Sequence, residues 1–132
     1  MTAALLDGNV LVAASVENHV HAAATRLWLV DHDGSIATTP ITQGTLLRHL
    51  LREGLSANEA LSILEVVVAQ ARHQFWPDDT PFGRSTLRGV IGHRQVTDAY
   101  LAEQARTRSG RLMTFDRGLA ATHPDVAELI PT

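Results

Sequence analysis

The sequence predicts one α/β domain spanning residues 1–132, built on a mostly parallel sheet of four or five strands with helices on both faces. Three observations predict it. Short apolar bursts alternate with longer amphipathic stretches, and strands separated by helices need crossovers, which make parallel neighbours. The length, 132 residues, suits a single domain. The composition is 45% hydrophobic and 19% charged, which is enough apolar material for a core without staples. No internal repeat, low-complexity segment or linker interrupts the chain.

The elements follow in order. Ala3-Ala4-Leu5-Leu6 is continuously apolar and ends at Asp7, the pattern of a strand buried on both faces. Gly8 and Asn9 turn the chain into a short helix over Val10 to Ala14. His19 to Val30 has helical spacing, with Ala22, Ala23, Leu27 and Val30 near one face. Asp31-His32-Asp33-Gly34 breaks it, and Ile36 to Thr39 is a second strand. Thr39-Pro40 is an N-cap followed by proline at the first helical position, opening a helix from about Ile41 to Arg52. Ser56 with Glu59 three residues on is a capping box, and its helix carries Leu61, Leu64, Val68 and Ala71. Gln74-Phe75-Trp76 is a brief third strand. A short helix is expected over Ser85 to Val90 and a longer one over Val96 to Arg108, closed by Ser109-Gly110. Arg111 to Phe115 is a fourth strand, Asp116 to Ala121 a helical turn, and Glu128 to Ile130 a fifth strand.

Composition excludes several classes. The chain has no cysteine, which removes disulfides and thiolate metal sites and suits a reducing compartment. No apolar run reaches about 18 residues, so no membrane span is expected. Met1 to Asp7 lack a basic region and a long apolar stretch, so no signal peptide is expected either. The formal charge of −3 argues against general adhesion to nucleic acid. All 11 basic residues are arginine, whose planar fork matches phosphate oxygens; biased composition explains most of that excess.

The carboxylates carry the chemistry. Asp7 ends the first strand and Asp116 ends the fourth, and open parallel sheets bind ligands outside the carboxyl ends of their strands. On the Val96–Arg108 helix, Asp98 shares a face with Leu101, Ala102 and Ala105, so a charge heads an apolar stripe and needs a partner. Asp98 could serve the helix dipole, Asp7 a turn and Asp116 a cap. All three at one sheet edge is a less ordinary coincidence. Converging carboxylates raise one another's pKa, and a hard divalent cation relieves them. Zinc fits poorly, because the seven histidines form no ligand pair at helical spacing.

Three blocks then stand out: Leu5-Leu6-Asp7-Gly8-Asn9-Val10-Leu11, Gly92-His93-Arg94-Gln95-Val96-Thr97-Asp98-Ala99-Tyr100-Leu101, and Leu112-Met113-Thr114-Phe115-Asp116-Arg117-Gly118-Leu119. In order and spacing they resemble the signature blocks of PIN-domain proteins, in particular the VapC toxins of bacterial type II toxin–antitoxin pairs. Phe75-Trp76-Pro77-Asp78-Asp79 resembles one subgroup of them. The resemblance implies a three-layer α/β/α sandwich and a Mg²⁺- or Mn²⁺-dependent ribonuclease. It also implies a homodimer, neutralised by a small VapB-type antitoxin, in the bacterial cytoplasm. Carried over by position, Asp7, Asp98 and Asp116 are the metal-binding acids, with Asn9 and Thr114 close enough in sequence to support them. The family usually has a glutamate early in the helix after the second strand; here the matching residue is Gln43, which can offer an amide oxygen to a metal but no charge. Arg94 and Arg117, beside the acids, are expected to contact the RNA backbone.

Two other readings compete. A receiver-like phosphoacceptor domain also places aspartates at strand ends, but it expects a lysine after the last strand and this chain has none. A PIN-like module that binds RNA or antitoxin without cutting is the second, with Gln43 the mark of weakened or lost nuclease activity. The apolar content from Leu46 to Ala71 suits either core packing or a dimer or antitoxin surface.

Overall fold

Alternation along each short strand divides the interior in two. In the computed structural model, which describes residues 2–132, five strands form one sheet: β1 (Ala4–Leu6), β2 (Ile36–Thr38), β3 (His73–Phe75), β4 (Arg111–Thr114) and β5 (Ala127–Leu129). All neighbouring pairs are parallel, in the order β3-β2-β1-β4-β5. Ala4 and Leu6 of β1, Ile36 of β2 and Met113 of β4 point into one core; Leu5, Ala37 and Leu112 point into the other. The first core is closed by α1 (Gly8–Ser15), α3 (Pro40–Arg52) and α4 (Ala57–Val68), with α2 (Ala22–Asp31) against its rim. The second is closed by α5 (Val96–Thr107) and α6 (Arg117–Thr122). The result is the expected three-layer α/β/α sandwich. Among the described residues no helix is long and apolar enough to cross a membrane.

Local chemistry sets the helix starts. Asp7 caps α1 by accepting the Gly8 N–H, Thr39 caps α3 ahead of Pro40, and Ser56 and Glu59 close a reciprocal capping box on α4. Asp116 caps α6 rather than opening it, through the Leu119 N–H at 3.0 Å.

Several sequence expectations are corrected. His19 to His21 form a turn, in which His19 Nδ1 accepts the His21 N–H, so α2 starts at Ala22. Its buried residues are Ala22 and Thr25; Leu27 and Val30 are 69% and 77% exposed. The inner face of α4 is Ala60, Leu64 and Val67, with Leu61 48% exposed and Ala71 beyond the helix end. Residues 84–89 are consecutive turns, and no helix forms over 85–90. Thr86, itself buried, accepts from the Gly83 N–H and donates to the Pro81 carbonyl, and Gly89 takes a positive φ that ends any helical continuation. β3 starts at His73, and Trp76, past its end, buries its ring in the second core while its N–H reaches the Thr38 carbonyl. β5 begins one residue earlier than the sequence suggests, at Ala127.

One close approach has a measurable consequence. A Cβ at Gly8 would lie 2.6 Å from Thr45 Cγ2, where α1 crosses α3. Gly8→Ala is expected to destabilise the fold by about 1–3 kcal/mol through overpacking, read as a lower urea midpoint. An unchanged midpoint would mean that the two helices do not meet this tightly.

Candidate active site

The strand order places a switch point beside β1. The chain runs β1, β2, β3 toward one edge, then returns to add β4 and β5 on the other side of β1. Connections from β1 and β4 therefore leave in opposite directions, and a crevice opens at their carboxyl ends. Asp7 follows β1 directly, Asp116 lies two residues past β4, and Asp98 sits in the first turn of α5. All three line one cleft of about 290 Å³, together with Gly8, Asn9, Ile41, Thr42, Thr45, Thr97 and Leu101.

Thr114, at the end of β4 and fully buried, ties two of the acids together. Its hydroxyl donates to Asp7 Oδ2 at 2.7 Å and accepts the Asp116 N–H at 3.0 Å. The other Asp7 oxygen accepts the Gly8 N–H at 2.8 Å. Asp7 is thus fixed by two donors, and Asp116 is fixed by the α6 cap and by Thr114.

Electrostatics record the crowding. Burial raises the Asp7 carboxyl above its ordinary range; the Thr114 and Gly8 hydrogen bonds oppose that, and the Asp116 charge adds to it. Asp98 is pushed up to about 6, first by burial and then by the charges of Asp7 and Asp116. A carboxyl that binds its proton more tightly folded than unfolded loses stability for the fold as pH rises from about 4 to about 6, then holds level above that. The melting-temperature difference between wild type and Asp98→Asn, without divalent ion, is therefore expected to shift in the variant's favour across that window. A difference constant with pH would contradict the placement of Asp98 among the other acids.

A divalent cation fits this donor set in kind. The cleft offers carboxylate, amide and hydroxyl oxygens and no sulfur or imidazole. Among the described residues no three histidine, aspartate or glutamate side chains stand close enough together to hold a metal ion as they are placed. An open arrangement of hard oxygens is what Mg²⁺ tolerates, because it keeps several waters and shares its remaining positions with phosphate.

The other sequence candidates divide. Asn9 lines the cleft. Gln43, on the first turn of α3, is turned toward the β2–β3 side: its Nε2 donates to Thr38 Oγ1 at 3.0 Å, and that hydroxyl meets His73 Nε2 at 2.7 Å. Gln43 is not among the cleft-lining residues. Arg94, in the single 3₁₀ turn His93–Gln95 before α5, borders a second recess that shares Asp98 and Asp116. Arg117 opens onto a different recess, with His21, Phe115 and the C-terminal residues Leu129 to Thr132. Sequence reading missed Thr42 and Thr45, which reach the cleft because α3 packs beside α1, and His123, which carries no spacing signal and arrives by the return of the chain after α6.

Fold and site together define an α/β domain with an acidic cleft at the carboxyl edge of a parallel sheet. The sequence profile of the PIN domain matches residues 4–123. The chain is 52% identical over 128 residues to "Ribonuclease VapC29" of Mycobacterium tuberculosis (H37Rv), covering 97% of this chain and 96% of that protein. It is 39% identical over 126 residues to "Ribonuclease VapC39" of the same strain, covering 89% and 91%. Among solved structures, M. tuberculosis VapC20, a sarcin–ricin-loop-cleaving toxin, superposes with a TM-score of 0.69 at 10% identity, covering 89% of this chain and 93% of that one. VapBC2 from Rickettsia felis, bound to a promoter DNA fragment, superposes with a TM-score of 0.64 at 16% identity over 98% and 99%. This chain belongs to the PIN-domain family, in its VapC group.

Proposed function

We propose that this chain is the toxin of a type II toxin–antitoxin pair and hydrolyses RNA phosphodiester bonds with a divalent metal ion. The observation that carries the reading is the convergence of Asp7, Asp98 and Asp116 on one cleft at the switch point of the sheet. The 52% identity to a named ribonuclease across nearly the whole chain supports it. Asp7, Asp98 and Asp116 would hold Mg²⁺ or Mn²⁺. When bound, such an ion lowers the pKa of its water and offsets charge on a phosphodiester in transition.

The chain's own residues do the positioning. Thr114 and the Gly8 N–H keep Asp7 aimed and aid its ionised form. The α6 cap holds Asp116 in place. Asn9, Thr42 and Thr45 offer polar atoms along the cleft wall, and Leu101 gives it an apolar side that limits water. Arg94 and Arg117, both exposed, hold the RNA backbone outside the acids. Gln43 acts through Thr38 rather than as a ligand.

The partner is a small antitoxin of the VapB type, and the protein works in the bacterial cytoplasm, where its RNA is. The exposed apolar residues Leu51, Leu61, Val66 and Val68 of α3 and α4 are the surface offered for a homodimer or for that antitoxin.

The test is purified protein, free of antitoxin, with labelled RNA and Mg²⁺ or Mn²⁺, beside an Asp98→Ala control. Cleavage that needs both metal and Asp98 is the expected result. RNA binding with no cleavage would instead support a binding module, the reading favoured by the uncharged Gln43. Gln43→Glu is expected to change cleavage far less than Asp98→Ala, because the side chain is engaged by Thr38.

A further inference from the structure

We infer that the recess beside the acidic cleft is a subsite for the RNA backbone phosphate next to the scissile one, with His123 as a donor to it; the inference rests on the ribonuclease reading. The recess holds about 200 Å³ and shares Asp98 and Asp116 with the cleft. It is therefore the adjoining station along any strand that lies across the acids. Its remaining polar lining is Arg94, Gln95, Thr122 and His123, with no further acid. Leu119 supplies an apolar wall against which a ribose can rest.

His123 is the unusual member. It is only 3% exposed, yet it lines this recess. Its Nδ1 faces Arg106 Nη2 at 3.5 Å. A guanidinium can only donate, so Nδ1 accepts and the ring's proton sits on Nε2. Nε2 has no hydrogen-bond partner among the described residues. Burial and the Arg106 charge both hold the ring below the ordinary histidine range, which keeps this neutral tautomer at pH 7.

Arg106 is itself clamped. Its Nε and Nη2 donate to the two Asp125 oxygens at 2.7 and 3.1 Å, and its Nη1 pairs with Glu103. Two carboxylates thus balance the guanidinium, which fixes the ring and leaves one N–H for a ligand. An N–H donor and a free arginine across from two carboxylates is a poor place for a cation and a good one for a phosphate whose neighbour is held at the acids. A glycine at 118 leaves Asp116 uncrowded, since a Cβ there would lie 3.2 Å from its Oδ1.

The test uses a single-stranded RNA cut by the wild-type chain, with His123→Ala and with His123→Gln, which retains an N–H donor. His123→Ala is expected to raise KM about tenfold, equivalent to about 1.4 kcal/mol, the worth of one hydrogen bond to a charged group. His123→Gln should recover most of that loss. A neutral methylphosphonate at the phosphate beside the cut should raise the wild-type KM by a similar factor and add little in His123→Ala. The subsite is overturned if His123→Ala keeps the wild-type KM, if its loss falls on kcat alone, or if the methylphosphonate costs variant and wild type equally. Should His123→Ala melt below the assay temperature, His123→Phe, which fills the same space and has no N–H to donate, takes its place under the same criteria. If the wild type binds RNA without cutting it, the ribonuclease reading fails, and fluorescence anisotropy still decides the subsite: a tenfold weaker Kd in His123→Ala supports it and an unchanged one overturns it. No RNA binding at all overturns both.

Discussion

Asp98→Asn is expected to reduce metal-dependent RNA cleavage about 10²–10³-fold, the usual cost of removing one preorganised electrostatic group from a reacting centre. The substitution is nearly isosteric, so the fold should survive it. It removes the charge that Asp7 and Asp116 press against, and with it the proposed ligand, a carboxyl raised to about 6 first by burial and then by those charges. Two readouts separate a lost ligand from a lost fold. The variant should melt at or above the wild-type temperature at pH 7 without metal, because an unfavourable charge has gone. It should also gain less from added Mg²⁺, since stabilisation by a ligand follows its affinity for the native state. A variant that cuts at the wild-type rate would remove Asp98 from the site.

Leu101→Ala is expected to cost about 2–5 kcal/mol of stability, the range for deleting a buried leucine side chain. Leu101 is 2% exposed, lies one turn after Asp98, and packs in the core that joins α5 to β1 and β4. It also walls the acidic cleft. The loss should be larger for activity than the melting curve alone predicts, because α5 carries one acid while the sheet carries the other two. Urea denaturation gives the stability term, and cleavage measured well below the midpoint gives the remainder. A loss under about 1 kcal/mol would mean that the cavity collapses easily and that the helix is held elsewhere.

What the sequence made legible follows from what a local pattern encodes. Ala3 to Leu6, Ile36 to Thr39 and Arg111 to Phe115 read as strands because short apolar or β-favouring stretches end at Asp or Thr-Pro. Thr39-Pro40 and Ser56 with Glu59 marked helix starts because caps are written within four residues. The three acids were legible because each closes a strand or opens a helix, and a parallel sheet gathers those ends. Faces were harder. Leu27 and Val30 have helical spacing yet stand in solvent, because α2 packs through Ala22 and Thr25 and rests only on the rim of the core. Residues 85–90 read as a short helix, but Gly89 takes φ +81° and the N–H groups of Arg88 and Val90 bond three residues back, so no helical ladder continues. Gln43 was placed at the right edge of the sheet; that it faces Thr38 and His73 depends on β3 lying beside β2, which no local pattern states. His123 depends likewise on how Arg106 is held, a matter of residues 17 apart in sequence.

The Thr114 hydroxyl reaches Asp7 across a sequence separation of 107 residues. β1 finds β4 only after more than four-fifths of the polypeptide has been made, and contacts so distant are slow to form. A nascent or prematurely terminated product lacking Thr114 and Asp116 would thus carry Asp7 and Asp98 without their partners. Synthesis itself thus delays completion of the acidic cleft until the last fifth of the chain is being made.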